Sequence, residues 1–383
     1  MAEPLHGIRV LDLSRYIAGP MCAMQLGDLG ADVVKVEKGR VGEETRTTPP
    51  TLNGESLYFL SFNRNKRSIT LDLRDAKDQE TLRKLIAQTD VLIENFRPGT
   101  MEKMGCSWEE LSRINPRLVM VRISGFGQSG PFAHRPCFDQ IAQAMSGLMS
   151  LTGQPDGPPT LAGTFVTDYV TALYATIGAQ AALAARNITG RGQLVEATLL
   201  ESAASLLVSA ISAQSQLGLT MSRVGNKDRY AAPVNSYLTS DGGWVYLSAG
   251  MDSLFGRLAR SMNRLDLLND PRFSSAPLRA THHKEIDTIV ADWVGQYTAR
   301  DFVELMDHAG IPCAKVAGID EVIANPQLRA RGQIVDVEHP IAGRYSTHGI
   351  TVTLSGTPGT IRRPPPSVGE HTAEVLDEWL SAR

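Results

Sequence analysis

Residues 9–37 read RVLDLSRYIAGPMCAMQLGDLGADVVKVE, and the apolar runs near the two ends of this stretch decide the fold. The runs at 9–13 and 32–36 are short and rich in Val and Leu, which is typical of strands buried on both faces. Residues 19–30, which lie between them, have the composition of a helix. A strand, a helix and a second strand in so short a stretch predict a parallel β-α-β unit.

The same alternation continues along the chain. Further strands are predicted at 68–73, 90–93 and 118–123, and helices at 76–89 and 107–114, each preceded by a capping side chain. This pattern predicts an α/β fold with a mostly parallel sheet covered on both faces. A long apolar helix at 165–186, a strand at 193–198 and an apolar helix at 199–216 follow, and the last helix is expected to be buried.

Composition changes after residue 216 and indicates a domain boundary. The segment 217–234 is polar and irregular and is interpreted as a linker, and 235–321 as a small α+β domain that starts with a hairpin at 235–239 and 244–248. Residues 322–383 contain a β-rich stretch at 334–354, a proline-rich segment at 362–367 and a last helix at about 370–380. A chain of 383 residues is also longer than a single core usually supports.

Charge and cysteine content exclude several classes of protein. The 38 basic and 41 acidic residues leave a net charge of -3, which predicts no nucleic-acid partner and no attraction to an anionic membrane. The four cysteines are far apart and form no metal-ligand pattern, so reduced thiols and no metal site are expected. With no long apolar run, the protein is predicted to be cytoplasmic.

The sequence GFGQSG at 125–130 matches the GxGxxG pattern of dinucleotide-binding proteins and follows a predicted strand. That pattern requires a helix to begin at once, whereas Pro131 and Pro136 enclose a stretch without periodicity. No acidic residue ends a following strand at the expected distance. Nicotinamide or flavin binding is therefore not predicted.

Positive charges collect in the segments that connect the predicted strands. Loops at the ends of parallel strands line the ligand crevice of such a sheet, so these cations predict a ligand with several phosphates, with an ordinary solvated surface as the alternative. They are Lys38, Arg40, Arg46, Arg64, Lys66, Arg67, Arg97 and Lys103.

Asp168 stands inside the apolar helix pattern TFVTDYV at 164–170. A carboxylate there is either a hydrogen-bonded acid near the helix start or a nucleophile that attacks an activated acyl group without a base to deprotonate it.

Several motifs together resemble the family III CoA transferases, also called the CaiB/BaiF family, which include formyl-CoA transferase and carnitine-CoA transferase. The resemblance covers nearly the whole chain. The motifs are VLDLS at 10–14, AGP at 18–20, LGADVVKVE at 29–37, NKRS at 65–68, ENFRPG at 94–99 and SGFGQSGP at 124–131.

The resemblance implies that Asp168 is the catalytic aspartate, forming first an aspartyl anhydride and then an aspartyl-CoA thioester. It implies a CoA thioester as substrate, a carboxylic acid as acceptor and no tightly bound cofactor. It places Phe138, Asp139 and Gly250 in the substrate pocket. The residues implied in CoA binding are Arg15, Ile17, Lys38, Lys66 or Arg67, Asn95, Phe96 and Lys103.

The family fold implied is an interlocked, ring-like homodimer in which each chain has a Rossmann-like large domain and a small α+β domain. Residues 1–216 and 322–383 are then parts of the large domain. Two departures point to another acyl group than formyl or oxalyl: LSAGM at 247–251 replaces a run of glycines that acts as a mobile lid, and Arg15 and Ile17 replace more polar or aromatic residues.

Two alternative functions stay open at this point. A racemase of the same superfamily needs a His-Asp pair where this chain has Phe138 and Asp139, so it lacks one base. A catalytically silent CoA-binding protein would have no nucleophile, whereas Asp168 is present. Succinate is a plausible donor acid, with Arg46 or Arg223 available to pair its distal carboxylate.

Overall fold

The chain forms two compact units in the computed structural model, which describes residues 3–39 and 41–381. The first unit comprises Met1–Leu148, Ala162–Ile211 and Asn325–Arg383, and the second Met149–Leu161 and Ser212–Ala324. The sequence-based division assigned 149–161 to the larger domain. Its grouping with the second unit has a physical reason, because the Arg223 guanidinium donates hydrogen bonds to the carbonyl oxygens of Gln154 and Gly157.

The elements up to residue 217 follow one another along the chain. They are β1 (Arg9–Asp12), α1 (Ala18–Asp28), β2 (Asp32–Glu37), a 3-10 turn (Glu44–Thr47), β3 (Thr51–Leu52), β4 (Glu55–Ser56), α2 (Leu57–Phe62), β5 (Lys66–Thr70), α3 (Ala76–Ile86), β6 (Val91–Glu94), α4 (Thr100–Lys103), α5 (Trp108–Ile114), β7 (Val119–Ser124), α6 (Asp139–Ser146), α7 (Leu148–Leu151), α8 (Val166–Thr189), β8 (Leu194–Thr198), α9 (Leu199–Ser205) and α10 (Ala210–Leu217).

The remaining elements complete both units. They are β9 (Val234–Leu238), β10 (Trp244–Ser248), α11 (Asp252–Ser261), a 3-10 turn (Leu265–Leu268), α12 (Ala276–Thr281), α13 (His283–Val294), α14 (Ala299–Ala309), β11 (Cys313–Lys315), α15 (Ile319–Ala324), α16 (Pro326–Ala330), β12 (Ile334–His339), β13 (Gly343–His348) and α17 (Thr372–Leu380).

A parallel sheet in the order β5-β2-β1-β6-β7-β8 is the centre of the first unit, which confirms the α/β prediction. The chain builds outward from β1 through β2 to β5 and then returns to place β6 on the other side of β1. Loops that follow neighbouring strands diverge where the order reverses and leave a crevice between them. The loops after β1 and β6 border that crevice.

Apolar clusters cover both faces of this sheet. One face packs against α1 and α8, where small side chains such as Ala175 and Ala179 allow close contact. The other packs against α3, α5 and α17, with Leu85, Leu111 and Trp379 in the cluster. Because both faces are covered, the ends of the strands are the places where the sheet can meet a ligand.

The second unit has its own core around the antiparallel sheet β11-β10-β9. Val245 and Leu247 on β10 pack against helix residues that include Phe255 and Phe302. The hairpin expected from the sequence is thus present as β9 and β10. Within the described part of the chain, no helix has both the length and the apolar character that crossing a membrane requires.

The apolar helix predicted at 199–216 is wrong in two respects. The segment forms α9 and α10 with a break between them, where Val208 adopts a left-handed φ of 48° that a β-branched residue rarely accepts. The segment is also not buried within this chain, because Val208 and Ile211 are 89% and 56% exposed.

Candidate active site

Buried polar contacts shape the loop after β1. The Asp12 carboxylate accepts a hydrogen bond from the Ser14 backbone N–H at 2.9 Å and one from the Lys66 ammonium at 2.8 Å. Gly19, in the first turn of α1, is required for this loop because a Cβ atom there would lie 2.2 Å from the Ser14 Cβ. The loop therefore has a single tightly packed conformation.

Asn95 joins this loop to the one after β6. Its side-chain Oδ1 accepts a hydrogen bond from the Arg15 backbone N–H at 2.9 Å, and its Nδ2 donates to the Arg15 carbonyl oxygen at 2.7 Å. Asn95 thus holds the two borders of the crevice at a set distance. Its amide positions Arg15 rather than facing the crevice as a spare polar group.

The crevice has a volume of about 560 Å³, within the range of ligand sites in proteins. The Arg15 guanidinium lies over the Phe96 ring at 5.3 Å, so an aromatic face and cations meet at one wall. Phosphate groups are the natural ligands of such cations. The predicted CoA-binding residues that line the crevice are Arg15, Lys38, Phe96 and Lys103, accompanied by Arg97 and Arg74.

Lys66 and Arg67 do not reach this crevice, which corrects the expectation that one of them contacts CoA. Lys66 is fully buried, and its ammonium donates to Asp12, to the Pro20 carbonyl oxygen and to Asn63. These three acceptors leave no donor for a phosphate. Arg67 is also buried, and its guanidinium is occupied by carboxylates, namely those of Asp32, Glu374 and Glu378.

The other sequence-predicted groups are partly unavailable as well. Ile17 precedes α1 and is 1% exposed as a whole residue, and it lines neither the crevice nor the Asp168 cavity. Arg46 and Arg64 form buried ion pairs with Glu37 and Asp28, and Arg46 is therefore occupied and unsuited to bind a substrate carboxylate. Arg40 lies outside the described residues.

A second cavity, of about 530 Å³, contains Asp168 and shares Arg15, Phe96 and Arg97 with the crevice as a common wall. Phe138 and Asp139 line it too, as the sequence predicts. A long ligand that lies in both spaces would extend from the cations of the crevice to the Asp168 carboxylate.

Burial and, to a smaller extent, the neighbouring Asp139 charge together raise the pKa of Asp168 to about 7, while a hydrogen bond from the Ala18 backbone N–H opposes both effects. Ala18 is the first residue of α1, so the helix N-terminus faces the carboxylate. Asp168 is itself in the first turn of α8. A poorly solvated carboxylate of this kind is more reactive toward an electrophile than one surrounded by water.

Asp139 holds the start of α8. Its carboxylate is buried, with 2% of the residue exposed, and accepts hydrogen bonds from the Thr167 backbone N–H at 2.8 Å and the Gln143 side chain at 2.6 Å. It therefore orients the turn that carries Asp168 and at the same time places a negative charge near it. The side chain of Phe138, which precedes it, is 61% exposed and contacts the Tyr16 ring.

Sequence reasoning missed several residues of the Asp168 cavity. Tyr16, Tyr58 and Phe165 supply aromatic walls, and Arg135 supplies a positive charge. The charge of Asp168 contributes to the raised pKa of Tyr58, after burial, which indicates that the two groups are close. The left-handed φ of 66° at Tyr16 leaves no signal in the sequence, because such a conformation is usual for Gly or Asn.

Gly250 and the stretch 247–251 belong to the second unit. A Cβ atom on Gly250 would lie 2.7 Å from the Ala231 Cβ, and its carbonyl oxygen accepts a hydrogen bond from buried Arg279 at 2.7 Å. Leu247 and Ala249 are fully buried, so this stretch is held in place by packing. A role of Gly250 in the substrate pocket stays a prediction.

The described residues form two adjoining cavities, one lined by several cations and the other containing the Asp168 carboxylate, and comparison with known proteins identifies the class of the protein. Residues 5–372 match the family described as CoA-transferase family III, and the chain belongs to that family.

Named relatives and a solved structure agree with this membership. The chain is 38% identical to succinyl-CoA–D-citramalate CoA-transferase of Chloroflexus aurantiacus over 99% of this chain and 94% of that one. It is 36% identical to succinate–glutarate CoA-transferase of Agrobacterium fabrum, over 98% and 95%. A CaiB/BaiF family protein from Brucella suis has the same fold, with a TM-score of 0.89, 33% identity and coverage of 99% and 100%. The protein is a CoA transferase.

Proposed function

We propose that Asp168 is the nucleophile of this CoA transferase and that it carries the acyl group and then CoA. The observation that carries the proposal is the position of this partly buried carboxylate, with its raised pKa, in a cavity that shares Arg15, Phe96 and Arg97 with the crevice. Acidic side chains line the crevice as well, and two of them, Glu44 and Asp72, pair with Arg15 and Arg74. Arg15, Lys38 and Lys103 bind the phosphates of CoA, and Phe96 contacts the adenine or the pantetheine arm. Asn95 keeps Arg15 in place.

The first half of the reaction transfers CoA to the enzyme. An Asp168 oxygen attacks the thioester carbonyl carbon, the C–S bond breaks, and CoA thiolate leaves a mixed anhydride of Asp168 and the donor acid. The thiolate then attacks the aspartyl carbonyl carbon, which releases the donor carboxylate and leaves Asp168 as a CoA thioester. No net proton transfer is needed, because each step has an anionic nucleophile and an anionic leaving group, one a carboxylate and the other a thiolate.

The second half reverses these steps with a different acid. The acceptor carboxylate attacks the aspartyl thioester and expels CoA thiolate, and the thiolate attacks the acyl carbon of the new anhydride. The acceptor leaves as its CoA thioester and the Asp168 carboxylate is restored. Water has to be kept from the anhydride, and the rings of Tyr16, Phe138 and Phe165, which line the cavity and are 39%, 61% and 37% exposed in the single chain, are the groups that would cover it.

Succinyl-CoA is the donor that we propose to test first, because both relatives named above carry succinate or succinyl-CoA in their names. The racemase alternative loses support at the site. No histidine is among the described residues that line the Asp168 cavity, so an imidazole base is missing there. A silent CoA-binding protein would not need the desolvated carboxylate.

We further propose that the functional form is an interlocked homodimer. Apolar side chains on α8 and in the break before α10 support this, since Leu173, Ile177 and Val208 are 46%, 61% and 89% exposed in the single chain. A second copy would cover them. Sedimentation at a mass near that of one 41.5 kDa chain would contradict a dimer. The cytoplasmic location stays a prediction.

Intact-protein mass spectrometry after mixing with succinyl-CoA tests the nucleophile. We expect an adduct of CoA or of the succinyl group on Asp168, located by peptide mapping and converted by hydroxylamine to a hydroxamate. Asp168→Ala should give no adduct while still binding CoA. An adduct on another residue, or none with any acyl-CoA of a broad panel, would contradict the proposal.

The pH dependence of adduct formation follows from the electrostatics of Asp168. Only the ionised carboxylate attacks, and its pKa of about 7 predicts a rate that rises with pH through that value. Asp139→Asn removes the nearby charge and should move the rise in rate to lower pH. When each rate is divided by its own plateau at high pH, the variant should be several-fold faster than the wild type near pH 6.

A stopped-flow series from pH 5 to 9 measures this effect. Asp377→Asn, the same substitution at an exposed position on α17, is the matched control and should leave the profile unchanged. A profile of Asp139→Asn that coincides with the wild type would show that the Asp139 charge does not act on the nucleophile.

A further inference from the structure

We infer that Arg135 selects for dicarboxylic acids by pairing with the distal carboxylate of the acyl group bound at Asp168. The inference rests on the proposed function and assigns to Arg135 a role in specificity rather than in bond making. It replaces Arg46 and Arg223 as candidates. Arg46 pairs with Glu37, and Arg223 donates to backbone carbonyl oxygens of the second unit.

Of the arginines in the described part of the chain, three line the Asp168 cavity, and their other contacts distinguish them. Arg15 and Arg97 line the crevice as well as this cavity, and we therefore assign both to the CoA side. Arg135 lines the Asp168 cavity and not the crevice. Its charge therefore lies at the acyl end of the bound thioester.

Aromatic rings hold the Arg135 side chain while leaving its hydrogen-bond donors free. The guanidinium carbon lies 4.9 Å from the centroid of the Phe132 ring and 5.9 Å from that of Phe126. Stacking uses the face of the guanidinium, whereas a carboxylate binds at its edge through two parallel hydrogen bonds. Arg135 is exposed, and it forms no ion pair with the carboxylates of residues 3–39 and 41–381. A substrate can supply the missing anion.

Arg135, Cys137 and Asp168 all line the same cavity. Burial and the charges of Asp168 and Asp139 together raise the pKa of the Cys137 thiol to about 11, and the Arg135 charge opposes them. Both Asp168 and Arg135 therefore act on one side chain in the cavity wall. We place the far end of a short acyl chain on the Arg135 side because Arg135 is the arginine that lines the Asp168 cavity and not the crevice among the described residues.

Succinyl-CoA and butyryl-CoA test the inference because they share four acyl carbons and differ in the distal carboxylate. For adduct formation by the wild type, we expect kcat/KM to be at least about 100-fold higher with succinyl-CoA. Arg135→Met should remove most of that preference by lowering the succinyl-CoA value, while the butyryl-CoA value stays within about threefold. Retained butyryl transfer also shows that the variant folds. Arg135→Lys, which keeps the charge, should recover part of the preference.

Arg97→Met is the comparison for a cation on the CoA side, and it should lower both values by the same factor. The inference would be overturned if Arg135→Met lowered kcat/KM by the same factor for both thioesters, or lowered it for neither. A wild type that transfers butyryl as readily as succinyl would overturn it too and leave the proposed function intact. A wild type that forms no adduct with any thioester would refute the proposed function, and with it this inference.

Discussion

Asp168→Asn is expected to abolish CoA transfer, with a loss of at least about 10⁴-fold in kcat, because an amide cannot attack a thioester to form an anhydride. The CoA crevice is untouched by this change, so the dissociation constant of free CoA should stay within about threefold. Isotope exchange between succinate and succinyl-CoA measures the loss. A variant that keeps a tenth of the exchange rate would exclude Asp168 as the nucleophile.

The same substitution should make the protein more stable. In the folded chain the pKa of Asp168 is about 7 against an ordinary value of 3.8, so burial disfavours the ionised form. The penalty is absent below the ordinary value, grows between the two values, and is complete above the upper one. Removing it should stabilise the fold by about 2–4 kcal/mol at pH 8, or several degrees in Tm.

Thermal unfolding at two pH values separates this effect from general changes. The gain in Tm should be present at pH 8 and small near pH 4.5, where the wild-type carboxyl is protonated as well. Equal gains at both pH values would contradict desolvation of the carboxylate as the cause. A loss of stability at pH 8 would do so too.

The sheet could be predicted because its strands are buried on both faces and therefore appear as apolar runs. The boundaries of β5 show where this fails: the strand was expected at 68–73 and runs from Lys66 to Thr70. Charged residues at its start counted against a strand. They are tolerated there because buried carboxylates on neighbouring elements neutralise them.

The candidate site could be predicted only in part for a related reason. Lys38 and Lys103 follow elements that end at the crevice, so their place in the chain is enough to locate them. Nothing in the sequence distinguishes such a lysine from Lys66, because two of its three partners, Asp12 and Pro20, are remote in the chain. Arg135 was missed because it lies in a stretch without periodicity, where only the packing of Phe126 and Phe132 locates the guanidinium.

Lys66→Met is expected to destabilise the protein by about 3–5 kcal/mol, because it leaves the Asp12 carboxylate buried with too little positive charge. Lys35 is the nearest remaining cation, with its ammonium 3.9 Å from Asp12 and already paired with Glu43 at 2.8 Å. Calorimetric unfolding measures the loss. Lys77→Met, the same change at an exposed position on α3, should alter the free energy of unfolding by less than about 0.5 kcal/mol.

The double variant Asp12→Asn, Lys66→Met shows whether the pair or the space it fills matters. Neutralising both partners should recover a large part of the stability, since the unpaired charge rather than the missing ion pair is the main cost. Titration with CoA then decides between the two roles considered for Lys66. If Lys66 bound a phosphate, Lys66→Met would be stable and would bind CoA weakly. Because the contacts of Lys66 are buried, we expect instead that its loss lowers stability and leaves CoA binding intact. In the double variant, the loop after β1, which contains Arg15, should keep its conformation. CoA should therefore bind to the double variant as it does to the wild type.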